Sequence, residues 1–409
     1  MVVKSIMLKM TGIPPQAQGF SPGLRRNLSL DKYYRIDYSQ NMRIYEYRLR
    51  PTRKQEERLL RTLELSRLLY NKGLEELQDY YKETGKHLNR FVHDKKHNKQ
   101  TDPELLAVVV DTTLARLHKS FANFFRRVKE GQKAGFPRFK SFNRWSSFEF
   151  RDKANYLEGK YFKSGKLVAG NIRTIVHREM KGEFRCARII KRPSGWHLQC
   201  VCEERKNLLP KTGNRVGIDV GLKYLIADSN GKIIENDKSL RNKLKKLRRL
   251  QRSVARRTKG SCRRRKAVRN LARQHERISN RRKDVLHKVS REYVNSNDVI
   301  VMEDLRIQNM VKNHHLALSI QDASWGILKN MLSYKAEDAG REFVLVNPRF
   351  TTQTCYKCGE LVEKSLSVRT HLCPSCGYME DRDKMAAKNI LRLGLSLQEV
   401  TYGNTQSVS

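Results

Sequence analysis

Long apolar runs, acidic residues and cysteines outside metal-ligand spacing are all scarce in this chain. The longest apolar stretches, 105–110 and 299–302, fall far short of the roughly 20 residues a helix needs to span a bilayer. No lipidation signal or strongly amphipathic anchor is visible, which argues against a basic membrane-surface protein. The opening segment MVVKSIMLKMTGIPP has no apolar core of signal-peptide length, so the expectation is a cytoplasmic, nucleoid-associated protein with no membrane partner. Acid is outnumbered: 42 Asp and Glu stand against 84 Lys and Arg, a formal charge of +42. Self-repulsion of that size calls for a polyanionic partner, and phosphate backbones are the usual one. Four of the eight cysteines form two Cys-x-x-Cys pairs, metal-ligand spacing rather than a disulfide framework. Cys186, Cys200, Cys202 and Cys262 lack such spacing and read as reduced thiols. A chain of 409 residues is long enough for several modules with their own cores and needs no disulfide staples.

Residues 1–41 show no sustained periodicity and read as an N-terminal extension. The alternation at 42–49 predicts a strand. Thr52 and Gln55 then have capping-box spacing before a helix with Leu59, Leu60, Leu63, Leu68 and Leu69 at its apolar positions. A second helix is predicted over 103–130, opened by Asp102, with Leu114, Leu117, Phe121, Phe124 and Phe125 on one stripe. The segment 131–151 interleaves aromatics with Arg138, Lys140 and other cations, a combination that stacks on bases while holding phosphates. Short strands are expected over 160–206. The run 238–283 holds 21 Lys and Arg with one acid, Glu276. Its leucines at 240, 244, 247 and 250 have helical spacing, and a turn is expected at 258–262. Helices this basic are read as a spine along phosphates, with Lys245, Lys246, Arg248, Arg249, Arg252 and Arg256 as contacts.

Three acidic residues carry candidate chemistry. Residues 215–234 read as one hairpin turning at Ser229–Gly231. On its first strand Asp219 lies between Gly217 and Gly221, which is expected to leave room for a metal ion and a phosphate. The buried-looking strand 299–302 ends in Glu303, and a carboxylate there needs a partner or a metal. Asp383 stands where helical sequence begins, a position that is often only a cap. Together the three can converge on a pair of Mg²⁺ or Mn²⁺ ions, since hard oxygen ligands suit those metals. Independently, Cys355, Cys358, Cys373 and Cys376 form two knuckles separated by fourteen residues, each followed by glycine. Four thiolates close a structural Zn²⁺ site, leaving His371 as a surface or outer-shell residue.

The chain resembles the TnpB proteins of bacterial and archaeal insertion sequences, relatives of the compact type V CRISPR effectors. The resemblance covers about 42–395. It rests on GIDVGLK at 217–223, KVS at 288–290, VMEDL at 301–305, ALSIQDASWG at 317–326, YKA at 334–336, the cysteine pairs and DRDKMAAKNI at 381–390, with FFRRVKEGQKAGFPRFK at 124–140 in the N-terminal half. It implies an RNA-guided DNA endonuclease of multi-domain α/β fold, with Asp219, Glu303 and Asp383 as catalytic triad. Asp381 is the rival for the third place, and Met385 stands where the family usually has Asn. The implied organisation is a wedge-like split β-barrel (42–50 and 131–207), a helical recognition module (51–130) and a RuvC-like nuclease domain of ribonuclease H fold (208–349 and 379–400). A zinc ribbon (350–378) interrupts the nuclease domain, and 401–409 form a tail. The implied partners are a guide RNA from the element's end and double-stranded target DNA carrying a short flanking motif. Two alternatives share these surfaces: a guided DNA-binding regulator that does not cut, and an unguided transposase or resolvase-like nuclease.

Overall fold

The computed structural model describes residues 42–100, 104–151, 156–163, 170–365 and 368–406. The expected extension 1–41 and the expected helix opening at Asp102 and Pro103 lie outside them. Strand β1 (Met42–Arg50) leads into helix α1 (Arg53–Thr84), whose capping box forms: the Thr52 backbone N–H donates to Gln55 Oε1 at 3.0 Å and Gln55 N–H to Thr52 Oγ1 at 3.4 Å. Helix α2 (Arg90–Gln100), which the sequence reading did not anticipate, precedes α3 (Ala107–Lys129). Leu59, Leu63, Leu114, Leu117 and Phe121 are buried, whereas Leu68 (46 % exposed) and Phe125 (37 %) leave the apolar stripes on which they were placed.

Strands β2 (Ser147–Phe150), β3 (Tyr156–Glu158), β4 (Tyr161–Lys163), β5 (Asn171–Ile175), β6 (Glu183–Arg192) and β7 (Gly195–Glu203) join β1 in an antiparallel sheet of order β2-β6-β7-β1-β5-β4-β3. The ladder has two ends, and no pairing closes it among the described residues. One apolar core joins this sheet to α1 and α3, with Tyr47, Phe150 and Phe162 fully buried. The helices and sheet therefore stabilise each other.

The second core belongs to a five-stranded sheet built from β8 (Arg215–Asp219), β9 (Tyr224–Asp228), β10 (Ile233–Glu235), β11 (Val299–Glu303) and β12 (Glu342–Val346), in the order β10-β9-β8-β11-β12. β11 lies parallel to both β8 and β12, as its unbroken apolar sequence suggests. The single hairpin expected over 215–234 is in fact two, because the chain turns at 220–223 before β9. Gly221 permits that turn: a Cβ there would stand 3.1 Å from the Tyr224 carbonyl oxygen.

The basic run forms α4 (Ser239–Ala255) and α5 (Cys262–Ser296), with Ser261 capping the second through Arg264 N–H at 3.1 Å. Asp322 accepts from the backbone N–H groups of Leu240 and Arg241 and so fixes the start of α4. Short helices α6 (Ile307–Met310) and α7 (His314–Ala323) lead to α8 (Trp325–Ala339). A two-stranded ribbon, β13 (Thr370–Leu372) with β14 (Met379–Asp381), precedes α9 (Arg382–Gln406). The tail expected from 401 instead continues this helix. No helix among the described residues is long and apolar enough to cross a membrane.

Helix α9 crosses the five-stranded sheet through two glycines. A Cβ on Gly217 of β8 would stand 2.1 Å from the Ala387 carbonyl oxygen, and one on Gly394 of α9 would stand 2.4 Å from a Val301 methyl. Gly217 therefore makes room for a helix, not for a phosphate as expected from sequence. Gly217→Ala should destabilise the fold by about 1–3 kcal/mol, since the clash is with backbone and no rotamer relieves it. Equilibrium denaturation checks this, and an unchanged midpoint would refute the packing argument.

Candidate active site

Ile218 pairs with Met302 across the parallel β8–β11 ladder. The next residues, Asp219 and Glu303, thus leave the sheet side by side at the carboxyl ends of neighbouring strands. In open α/β sheets that is where ligands gather. Asp383 arrives from above, one residue into α9, and its helix is seated against β8 by Gly217. Asp381, its rival, is the helix cap: its Oδ1 accepts from the backbone N–H of Asp383 at 3.0 Å and of Lys384 at 3.2 Å.

The electrostatics tie the three together. Burial, then the charges of Glu303 and Asp383, push the Asp219 carboxyl well above the usual carboxylate range; Arg382 and the Val220 backbone only partly oppose them. Burial also raises Glu303, which accepts a bond from Thr351 Oγ1 at 2.6 Å. Asp383 meets two arginines, Arg382 at 3.0 Å and Arg369 at 3.5 Å. Neither Asp219 nor Glu303 forms such an ion pair among the described residues. The carboxylates form a looser group than the cysteine cluster, whose ligand atoms all lie within 4.8 Å of one another.

Thr351 and Asn389 escaped the sequence reading. Asn389 is buried, and its amide donates to the carbonyl oxygens of Thr351 at 2.9 Å and Thr354 at 2.7 Å. Arg392 in turn donates to Asn389 Oδ1 at 3.1 Å. A chain of bonds thus runs from α9 through the loop after β12 to the Glu303 carboxylate. The available signal was an amide within the otherwise apolar buried stripe Met385, Ala386, Ile390, because a buried amide demands partners. Met385 itself is fully buried packing.

Cys355, Cys358, Cys373 and Cys376 converge as the spacing predicts, with no disulfide. Gly359 (φ 83°) and Gly377 (φ 68°) take the left-handed conformation after each knuckle, and their N–H groups bond back to Cys355 and Cys373. His371 is not at the surface: it is fully buried, with Lys364 against its Nδ1 and no hydrogen-bond partner on its Nε2 among the described residues.

The proposed nucleic-acid residues lie on two surfaces. Lys245, Lys246, Arg248, Arg249 and Arg252 on α4 and Arg256 at its C-cap are all exposed, and none forms an ion pair among the described residues. Glu276, the one acid of the run, accepts from Ser194 Oγ at 2.7 Å and helps dock α5 on the seven-stranded sheet. In the 131–151 segment the aromatics divide. Phe139 and Phe142 are exposed, but Trp145, Phe148 and Phe150 belong to the core, and the Trp145 indole donates to Ser66. Arg138 is exposed. Lys140 is partly buried, and burial followed by the charges of Arg116, Arg144 and Arg138 lowers its pKa. That crowd of cations suits an anion. An open cleft of about 580 Å³ next to it is lined by Arg67, Lys191, Arg192, Arg269 and Arg273, with Phe142 and Trp196.

Comparison with known proteins adds three family matches: "Probable transposase" over 198–314, "Cas12f1-like, TNB domain" over 325–390 and "Helix-turn-helix domain" over 42–86. The last segment here is β1 followed by the single helix α1. A Streptomyces pristinaespiralis protein named "Putative RNA-guided DNA endonuclease" is 34 % identical over 374 residues, covering 87 % of this chain and 90 % of that one. The Escherichia coli K12 protein "Putative RNA-guided DNA endonuclease InsQ" is 27 % identical, covering 87 % and 93 %. Among solved structures, "Structure of the mini-RNA-guided endonuclease CRISPR-Cas_phi3" aligns with TM-score 0.48 at 10 % identity, covering 87 % and 92 %.

Proposed function

The chain belongs to the TnpB family, and from that membership we propose that it is an RNA-guided DNA endonuclease that cuts with divalent metal ions held by Asp219, Glu303 and Asp383. One observation carries the reading. Asp219 is a half-buried carboxylate at the end of β8, pressed by Glu303 at the end of the neighbouring parallel strand and by Asp383, both buried, a concentration of negative charge that a cation relieves. The strand order β10-β9-β8-β11-β12 supports a RuvC-like domain of ribonuclease H type over 208–349 and 379–400, interrupted by a zinc ribbon at 350–378. The wedge-like barrel (42–50 and 131–207) and helical module (51–130) would read a short motif beside the target.

A bound pair of Mg²⁺ or Mn²⁺ ions supplies an activated water and neutralises charge on the leaving oxygen. The chain's own residues prepare that site. Thr351 orients the Glu303 carboxylate, Asn389 fixes the Thr351 loop, and the cap at Asp381 sets where Asp383 projects. Zn²⁺ on the four cysteines would hold the ribbon from which Arg369 reaches Asp383. The guide RNA from the element's end, and the target DNA, would lie along the cations of α4 and the Arg138–Lys140 patch.

The test uses the chain purified with its co-expressed RNA and challenged with matched plasmid DNA, Mg²⁺ and a library of flanking motifs. Double-strand cleavage at the matched site is expected; no cleavage across the library would overturn the proposal. The two arginines on Asp383 favour a second reading, a guided regulator that binds without cutting. Target binding without cleavage, unchanged by Asp219→Ala, would establish that one. Thr351→Val, which removes the 2.6 Å bond to Glu303 together with a longer contact to the Pro348 carbonyl oxygen at 3.3 Å, should slow cleavage by about 10–100-fold, the usual effect of an outer-shell partner. Single-turnover rates check this, and an unchanged rate would remove Thr351 from the account.

A further inference from the structure

A second cluster with the geometry of a metal site lies in the helical part of the chain. His93 and His97 on α2 both present Nε2 to the same oxygen of Glu76 on α1, at 3.2 and 2.8 Å. Their three ligand atoms all lie within 4.8 Å of one another. The spacing of four residues places both imidazoles on one helical face. The other ring nitrogen of His93 stands 3.0 Å from His118 Nε2 on α3, the kind of outer contact that orients a metal-bound imidazole.

How α2 is attached makes the cluster more than a polar curiosity. An isolated helix of 11 residues is too short to be stable alone, so packing must hold it. Yet its apolar residues face water, Phe91 at 68 % and Val92 at 55 % exposed, while among the described side chains His93 and His97 are the buried ones. Apolar burial therefore does little to dock this helix. On the α1 side, Gly73 leaves the space the ring occupies: a Cβ there would come 3.2 Å from His93 Cε1 and 3.0 Å from Leu117. Burial, then the neighbouring His97 charge, hold His93 down to about 4, so its ring is neutral at pH 7 and has a lone pair to offer. Although burial pushes Glu76 up, bonding to His97 and the charges of His97 and Lys96 bring it below the usual carboxylate range. Lys96 Nζ stands 3.5 Å from its second oxygen.

We propose that Glu76, His93 and His97 bind a divalent ion of the zinc class that clamps α2 onto α1. Two imidazoles and a carboxylate match the borderline softness of such an ion, with solvent at the fourth position.

Metal content of the purified full chain, equilibrated with zinc and desalted, is the test. About two zinc ions per chain are expected, one on the four cysteines and one here, falling to about one in His97→Gln and Glu76→Gln. Cobalt substitution guards against misfolding. The thiolate-to-cobalt absorption of the cysteine site should persist in both variants, while a component without thiolate character disappears. In Cys373→Ala the reverse should hold. One zinc ion in the wild-type chain, or two that survive both His97→Gln and Glu76→Gln, would overturn the proposal.

Discussion

Asp219→Ala should lower guided DNA cleavage by at least about 10²–10³-fold, the scale on which removing one preorganised electrostatic group slows an enzyme, with RNA affinity unchanged. The separation is expected because Asp219 lies at the end of β8, between Glu303 and α9, whereas the proposed RNA contacts lie on α4. Single-turnover cleavage and RNA binding, measured on the same preparation, check both halves. A parallel loss of RNA affinity would mean that the substitution had damaged the fold.

The same residue makes a prediction about metal-free protein. The folded-state pKa of Asp219 is raised, so the folded chain holds a proton that the unfolded chain releases above about pH 4. Its contribution to stability therefore falls as pH rises from that value toward the raised one. Without divalent ions, Asp219→Asn should melt higher than wild type at neutral pH, and the gain should vanish in acid. Added Mg²⁺ should stabilise the wild-type chain and not the variant. Thermal melts across pH with and without Mg²⁺ check the sign; a variant less stable at neutral pH would contradict the crowded-carboxylate account.

Raising salt from 50 to 200 mM should weaken guide RNA binding by about 10³-fold, the loss associated with roughly six phosphate contacts. The six proposed contacts, Lys245, Lys246, Arg248, Arg249 and Arg252 on α4 and Arg256 at its C-cap, set that number, since they are exposed and have no acidic partners among the described residues. Charged groups already paired within the protein would release fewer counterions. Each Lys or Arg to Ala change among them should reduce the salt slope by about 1. Filter binding across a salt series measures it, and a flat response would remove α4 from the RNA interface.

The elements that sequence pattern made legible were those with one dominant local cause. The capping box at Thr52 and Gln55 started α1, the unbroken apolar run at 299–302 lay parallel between two strands, and Cys-x-x-Cys spacing brought four sulfurs together. Legibility failed where long-range packing decides. Helix α2 has no apolar stripe, because its inward residues are histidines. Gly217 looked like open space for a ligand, and only the crossing of α9 shows what fills it. The break at 220–223 was hidden because Val220 and Leu222 continue the apolar pattern through a turn. The bond chain from Asn389 to Glu303 joins residues 86 positions apart, a distance no periodicity reports.

The most direct test is Mn²⁺ binding to the RNA-free chain, followed by the disappearance of the free-ion electron paramagnetic resonance signal. If Asp219, Glu303 and Asp383 hold the ions, the wild-type chain should take up Mn²⁺ that Asp219→Asn and Glu303→Gln each release, while His97→Gln leaves this uptake unchanged. Equal uptake by wild type and the two carboxylate variants would show that these acids do not hold the metal, and the proposed cutting chemistry would fail with them.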